Sequence, residues 1–329
     1  MSKLIDVLRG VGKGPAVFLL ALLFVPLLVK SDYFLHLIIL FLMWSAFGMS
    51  WNLLGGYAGQ VSFGHGAFFG VGAYTAVLLY EKLSVSLWLG FLAGGVAAML
   101  IAIPIGAICF RLRGPYFSLS ILAFAEVLRL VALQWKSLTQ GAVGILLLFP
   151  VLDSKVAYYY LILALVVLIV LALSFILNTR AGFYFVAIRE DEEAAEALGI
   201  LTTRYKLYAL MTSAFFTGML GCFFANYTIF IDPYIVFSIV DVSIAVVLVV
   251  VMGGIGTVYG PFVGAIIVVV VTEAFRNIFA QAHMLVYGAL IIIVILFLPE
   301  GILGGVKQLY GRLAASSLLY SYRKGSLKS

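Results

Sequence analysis

The chain has 329 residues, 64% of them hydrophobic and 10% charged, with a net charge of +6 at neutral pH. Soluble domains are usually about 45–50% apolar, so a water-soluble fold is excluded for want of polar surface to face the solvent. The positive excess does not call for a nucleic acid, because membrane proteins concentrate Lys and Arg in their cytoplasmic segments.

Residues 1–14 carry Lys3, Arg9 and Lys13 beside Asp6, and an apolar run begins at Pro15. No small-residue cleavage site follows, so the segment reads as a cytoplasmic N-terminus and a retained first span rather than a signal peptide. Apolar runs then predict spans near 15–29, 33–54, 63–80, 87–110, 115–135, 156–177, 207–229, 239–253, 260–278 and 283–299. Helices are expected because a helix satisfies its own backbone in hydrocarbon, and barrel-type alternation is absent. The fold class is therefore all-α: a polytopic transmembrane helical bundle of about ten spans over 15–305. A basic cytoplasmic tail, 306–329, follows.

Charge sets the orientation. With the N-terminus inside and alternating spans, the inner segments hold Lys3, Arg9, Lys13, Arg111, Arg113, Arg180, Arg189, Arg204, Lys206 and the basic residues of the tail. The outer loops hold only Lys30, Lys82, Lys136 and Lys155. This is the positive-inside pattern, and it places both termini in the cytoplasm.

Several stretches interrupt the apolar runs. Gly55 to Gly72 is Gly-rich and includes Gly59, Gln60, Ser62 and His65. It reads either as close helix packing or as a broken or re-entrant segment lining a polar path. Gly253, Gly254, Gly256, Gly260 and Gly264 form a second cluster, and paired Gly-interrupted segments point to a transport site. Gly114-Pro115-Tyr116 precedes Glu126-x-x-Arg129, and Gly260-Pro261-Phe262 precedes Glu273-x-x-Arg276, a short internal repeat. Glu and Arg three apart share a helix face, so each forms an intramembrane charge pair that locks packing or lines a polar surface. Asp232 and Asp241 flank an outer segment as solvated or docking residues.

The inner loop 178–206 gathers charge as REDEEAAEALG at 189–199. Its acidic start, Ala-rich middle and Gly199 end predict a short helix, either a handle for a partner or a solvated connector. Cys109, Cys222 and the histidines His36, His65 and His283 show no ligand spacing, and no metal or cofactor is expected. No hydrolytic or nucleotide-binding motif appears, so the chain is read as no enzyme.

The segment Glu193-Ala194-Ala195-x-x-x-Gly199 resembles the coupling motif of ABC-importer permeases. Its surroundings, AIREDEEAAEALGILTTRYKLYA, resemble the version in permeases for branched-chain amino acids. GGYAGQVSFGHGAFFGVGAYTA at 55–76, RGPYFSLSILAFAEVLRL at 113–130, LTQGAVGI at 138–145 and VVMGGIGTVYGPFVGAII at 250–267 are similar to the same family, the LivM-type permeases. The resemblance implies a membrane subunit of an ATP-driven importer in a bacterial or archaeal cytoplasmic membrane. It implies a second homologous permease, two cytoplasmic ATPases and an extracytoplasmic solute-binding protein as partners. Leucine, isoleucine and valine would be the cargo. Gly59, Gln60, Ser62, His65, Thr139, Gly141, Gly254 and Gly256 are the candidates for the translocation path. Two alternatives stay open: a permease for urea or short amides, and an ion-coupled secondary transporter using Glu126 and Glu273.

Overall fold

The computed structural model describes residues 21–29, 31–147, 152, 154–278, 288 and 292. The first part of the 15–29 span, most of the 283–299 span and the 306–329 tail lie outside these residues.

Helix α1 spans Asp32–Asn52 and runs on into a wider π-type turn, Leu53–Tyr57. Then come α2 (His65–Leu83), α3 (Leu87–Cys109), α4 (Pro115–Gln134) and α5 (Lys155–Leu177). Two short helices follow, α6 (Arg180–Glu190) and α7 (Glu192–Ala197). Helix α8 covers Thr202–Thr228, α9 covers Ala245–Gly253 behind a π-type stretch at Ile239–Ile244, and α10 covers Gly260–Ile278. A two-stranded ribbon pairs β1 (Ile145–Leu146) antiparallel with β2 (Phe230–Ile231), a small departure from a wholly helical chain. Six helices among the described residues are long and apolar enough to cross a membrane. Helix α8 begins at Thr202, earlier than the predicted 207, and the loop 178–206 holds two helices rather than one.

The bundle has two packing centres. Helix α8 lies against α2 and α3, and α1 lies against α5, α9 and α10 as well as α8. In lipid there is no hydrophobic drive between helices, so close backbone approach matters. Gly72 of α2, Gly94 of α3 and Gly218 of α8 face one another. A Cβ on Gly94 would sit 2.9 Å from the Gly72 carbonyl, one on Gly218 2.6 Å from the Gly94 carbonyl, and one on Gly72 would collide with Gly218. The second glycine cluster closes the α9–α10 turn, where a Cβ on Gly253 or Gly264 would strike the Gly260 or Val249 carbonyl.

Contacts sort the connecting segments into two ends, as the charge count predicts. At the near end, Arg113, Arg189, Gly56, Gly256 and α7 meet. At the far end, Lys155 pairs with Asp32 at 3.8 Å, the Tyr33 hydroxyl donates to Glu273 at 3.2 Å, and β1 meets β2. Both Gly-Pro steps open a helix at the near end, and both glutamates of the repeat lie towards the far end.

Candidate functional site

Helix α7 is six residues long and capped at both ends. Asp191 Oδ1 accepts the amides of Glu193 and Ala194 at 2.9 and 3.0 Å. At the other end Gly199 takes φ +83, its amide bonds Glu196 O at 2.9 Å, and the Ile200 amide bonds Ala195 O at 3.1 Å. This is the Schellman arrangement, which needs a left-handed residue after the helix. The predicted cap is therefore in place, one residue beyond the helix's C-cap, Leu198.

The acidic face of α7 is tied to the bundle. Lys206 of α8 reaches Glu192 at 2.6 Å and lies over the Phe110 ring at 5.4 Å. Arg113, the residue before the Gly114-Pro115 start of α4, holds Glu193 at 3.0 Å and Glu196 at 3.1 Å. The Thr202 hydroxyl donates to Glu196 at 2.6 Å. That bond first, then the Arg113 and Lys206 charges, hold the Glu196 carboxyl below its ordinary value. Ala195 is buried beneath the helix, and Ala194 belongs to its middle turn. Two large apolar side chains of this segment are exposed, Leu198 after α7 at 83% and Phe183 of α6 at 70%. A shallow groove of about 380 Å³ lies beside Leu198, lined by Tyr184, Gly199 and Arg204 among others.

Gly59, Gln60, Ser62, His65, Gly254 and Gly256 all lie at or just inside the near end. Backbone 58–64 is non-helical, with Gly59 at φ +70. Gln60 lines a groove of about 580 Å³ with Gly59, Val61 and the start of α4. Ser62 and His65 do not face it: both are fully buried. Ser213 Oγ donates to Ser50 O at 2.6 Å, so at 2.7 Å it accepts from His65 Nε2. His65 Nδ1 then accepts from Ser62 Oγ at 3.0 Å, and Ser62 takes the Gly64 amide at 3.3 Å. The roles close with a neutral imidazole, which joins α1, α2 and α8. Gly66 extends this to Ser243, its amide donating at 2.9 Å.

Thr139 and Gly141 sit apart, at the far end. The Thr139 hydroxyl lies against the Ala132 and Trp135 carbonyls at 2.5 and 2.9 Å, closing its own turn, and Gly141 follows at φ +58. The structure thus does not bring Thr139 and Gln60 together. Glu126 and Arg129 form a bidentate pair, with Nε to Oε2 at 2.8 Å, and the guanidinium lies 5.5 Å from the Tyr234 ring centre. The Arg276 side chain lies outside the described residues; Glu273 accepts from the Tyr33 hydroxyl. Asp232 caps the turn Pro233–Val236 through the Ile235 amide at 2.7 Å, and Asp241 accepts from Ser238 at 2.8 Å.

Sequence reading placed Arg113, Arg189, Glu192 and Lys206 at this end without their partners, and did not single out Asn52 or Ser213. Asn52 Oδ1 accepts the Gly256 amide at 2.9 Å and its Nδ2 donates to Thr257 O at 2.7 Å. The basic residues were visible only as positive-inside charge, which carries no information about individual partners. The one signal at hand was an Asn and serines on apolar spans, where polar groups need partners.

Long apolar helices joined by small-residue contacts, with a capped acidic helix pinned to one end, define a polytopic helical membrane protein. The chain belongs to the family of permease components of branched-chain amino acid transport systems, whose profile matches residues 33–295. It is 30% identical over 289 residues to the high-affinity branched-chain amino acid transport system permease protein LivM of Salmonella typhimurium, covering 78% of this chain and 66% of that protein. The Escherichia coli LivM protein gives 30% over 285 residues, with the same coverage. The LivH permease protein of Salmonella typhimurium gives 27% over 281 residues, 78% of this chain and 89% of LivH. The chain thus spans just under two thirds of the LivM proteins' length. No solved structure gives a significant match.

Proposed function

We propose that this chain is the membrane-spanning permease subunit of an ATP-driven importer of leucine, isoleucine and valine. The observation that carries this is the family match over 33–295, and within that stretch we read the capped α7, with Glu193-Ala194-Ala195 and Gly199, as the coupling helix. The partners are a second homologous permease, two cytoplasmic ATPases and an extracytoplasmic binding protein. The membrane is the cytoplasmic membrane of a bacterium or archaeon. The chain crosses it about ten times, counting helices of roughly 20 residues, over 15–305, with the 1–14 segment and the 306–329 tail inside.

In this reading the near end faces the cytoplasm. Exposed Leu198 and Phe183, with the groove beside Gly199, form the ATPase docking surface, and Glu193, Ala194 and Ala195 are its core. Glu193 also hands movement to Arg113 and so to the start of α4. The path follows the near-end groove past Gly59 and Gln60 and the Gly254–Gly256 turn, with Thr139 and Gly141 at its far mouth. Ser62 and His65 support it from behind. Alternating access follows if docking contacts differ between two arrangements of the bundle.

The test is leucine uptake into vesicles holding the assembled importer, with urea and an ion gradient as competing conditions. ATP-dependent uptake that valine competes for and urea does not supports the proposal. Uptake driven by an ion gradient without ATP refutes it.

A further inference from the structure

We propose that Arg189 is the positioning residue through which α7 acts on both glycine-broken segments of the bundle; this rests on the permease reading above. Arg189 lies in the last turn of α6, and a single residue, Asp191, separates α6 from α7. The Asp191 amide bonds Ala187 O at 3.1 Å while its carboxylate caps α7, so the end of α6 and α7 form one rigid unit.

From that unit the guanidinium points back into the near end. Nε and Nη2 rest on Glu190 Oε1 at 3.1 and 2.6 Å, which offsets the charge and leaves Nη1 as the reaching arm. Nη1 donates to Gly56 O at 3.2 Å, among the last carbonyls of the π-type turn that continues α1, where helix-end carbonyls lack helical partners. Two glycines make room for it. A Cβ on Gly59 would lie 2.9 Å from Arg189 Cγ, and one on Gly256 2.7 Å from Nη1. Both take left-handed backbone, φ +70 and +71.

The two segments that Arg189 touches also touch each other. A Cβ on Gly56 would lie 2.6 Å from the Gly256 amide, and Asn52 clamps Gly256 and Thr257 to α1. Arg189 therefore stands at the seam between the end of α1 and the α9–α10 turn. A displacement of α7 has a direct mechanical route to both. The adjacent Arg113 contact gives a separate route to α4.

The experiment measures leucine uptake and ATP hydrolysis together in vesicles holding the whole importer. In Arg189→Ala the leucine moved per ATP hydrolysed falls about tenfold, the size of a typical coupling energy. Gly256→Ala, which drives a methyl into Nη1, lowers the same ratio, and Arg189→Lys falls between Ala and the intact chain. If Arg189→Ala does not assemble, Arg189→Lys and Gly256→Ala decide. Uptake and hydrolysis that fall in proportion, leaving the ratio unchanged, overturn the assignment and leave Arg189 a structural tie. If the intact chain shows no ATP-driven leucine uptake, the permease reading fails and this inference falls with it.

Discussion

Lys206 has a side chain only 1% exposed, and its ammonium sits 2.6 Å from Glu192. Glu193, one residue on, is 82% exposed and holds Arg113 at 3.0 Å. Removing one partner of a buried pair leaves an uncompensated charge, whereas an exposed pair adds little. Glu192→Gln should therefore destabilise the protein by roughly 3–5 kcal/mol. Glu193→Gln should cost less than about 1 kcal/mol. Thermal unfolding in detergent would show the contrast, and equal melting points for the two variants would contradict it. Glu196 adds a pH effect. Its folded value is depressed from an ordinary 4.5, chiefly by the Thr202 hydroxyl, so its contribution is complete above that value and is lost as pH falls through the lower folded one. Proteolytic nicking between α6 and α8 should thus stay constant from neutral pH down to about 5 and rise in stronger acid. Glu196→Gln should flatten that rise. None of these pairings was legible from sequence, because EDEE-type runs and scattered Lys and Arg carry no record of which charge is buried.

At the scale of elements, α7 is too short to persist on propensity, so its caps decide its survival. No atom lies within 4 Å of a Cβ built on Gly199, so space is not the constraint there; the φ of +83 is. Gly199→Ala should cost about 1–2 kcal/mol for the left-handed backbone, and Gly199→Asn less. Amide exchange over 193–200 would show this as faster exchange in the alanine variant alone. The Gly199 cap was readable in advance because Gly after an Ala-rich run has a local physical meaning, while the N-cap was legible only as an acidic start and not as Asp191. Helix α6 was not: Phe183, Phe185 and Ile188 stand among Arg and Glu inside what was read as the loop 178–206. The early start of α8 was hidden by the polar TTRYK, which continues the helix past its apolar part and lets Lys206 meet Glu192. Spans α2 to α5 fell within a residue or three of their predicted positions, since an unbroken apolar run has a nearly unique solution in lipid. The β1–β2 ribbon is too short to leave a pattern.

At the scale of the whole molecule, sequence order sorted the loops onto two ends, and the contacts agree. The same alternation puts both glycine clusters at one end and Thr139 and Gly141 at the other; it could not show that Gly56 and Gly256 touch, because contact depends on long-range packing. The meeting of α2, α3 and α8 through Gly72, Gly94 and Gly218 is one tight demand on that packing. Gly218→Val should destabilise the bundle by about 1–3 kcal/mol through overpacking. Its melting temperature, against an unchanged value for a substitution at exposed Leu130, would report it. The central claim is that α7 transmits ATP-driven movement to these spans. The most direct measurement is leucine uptake with ATP and binding protein supplied, comparing the intact chain with Glu193→Arg combined with Gly199→Trp. ATP-dependent uptake that the double variant loses while still assembling in the membrane is the predicted result. Uptake that ignores ATP, and is unaffected by the double substitution, would contradict it.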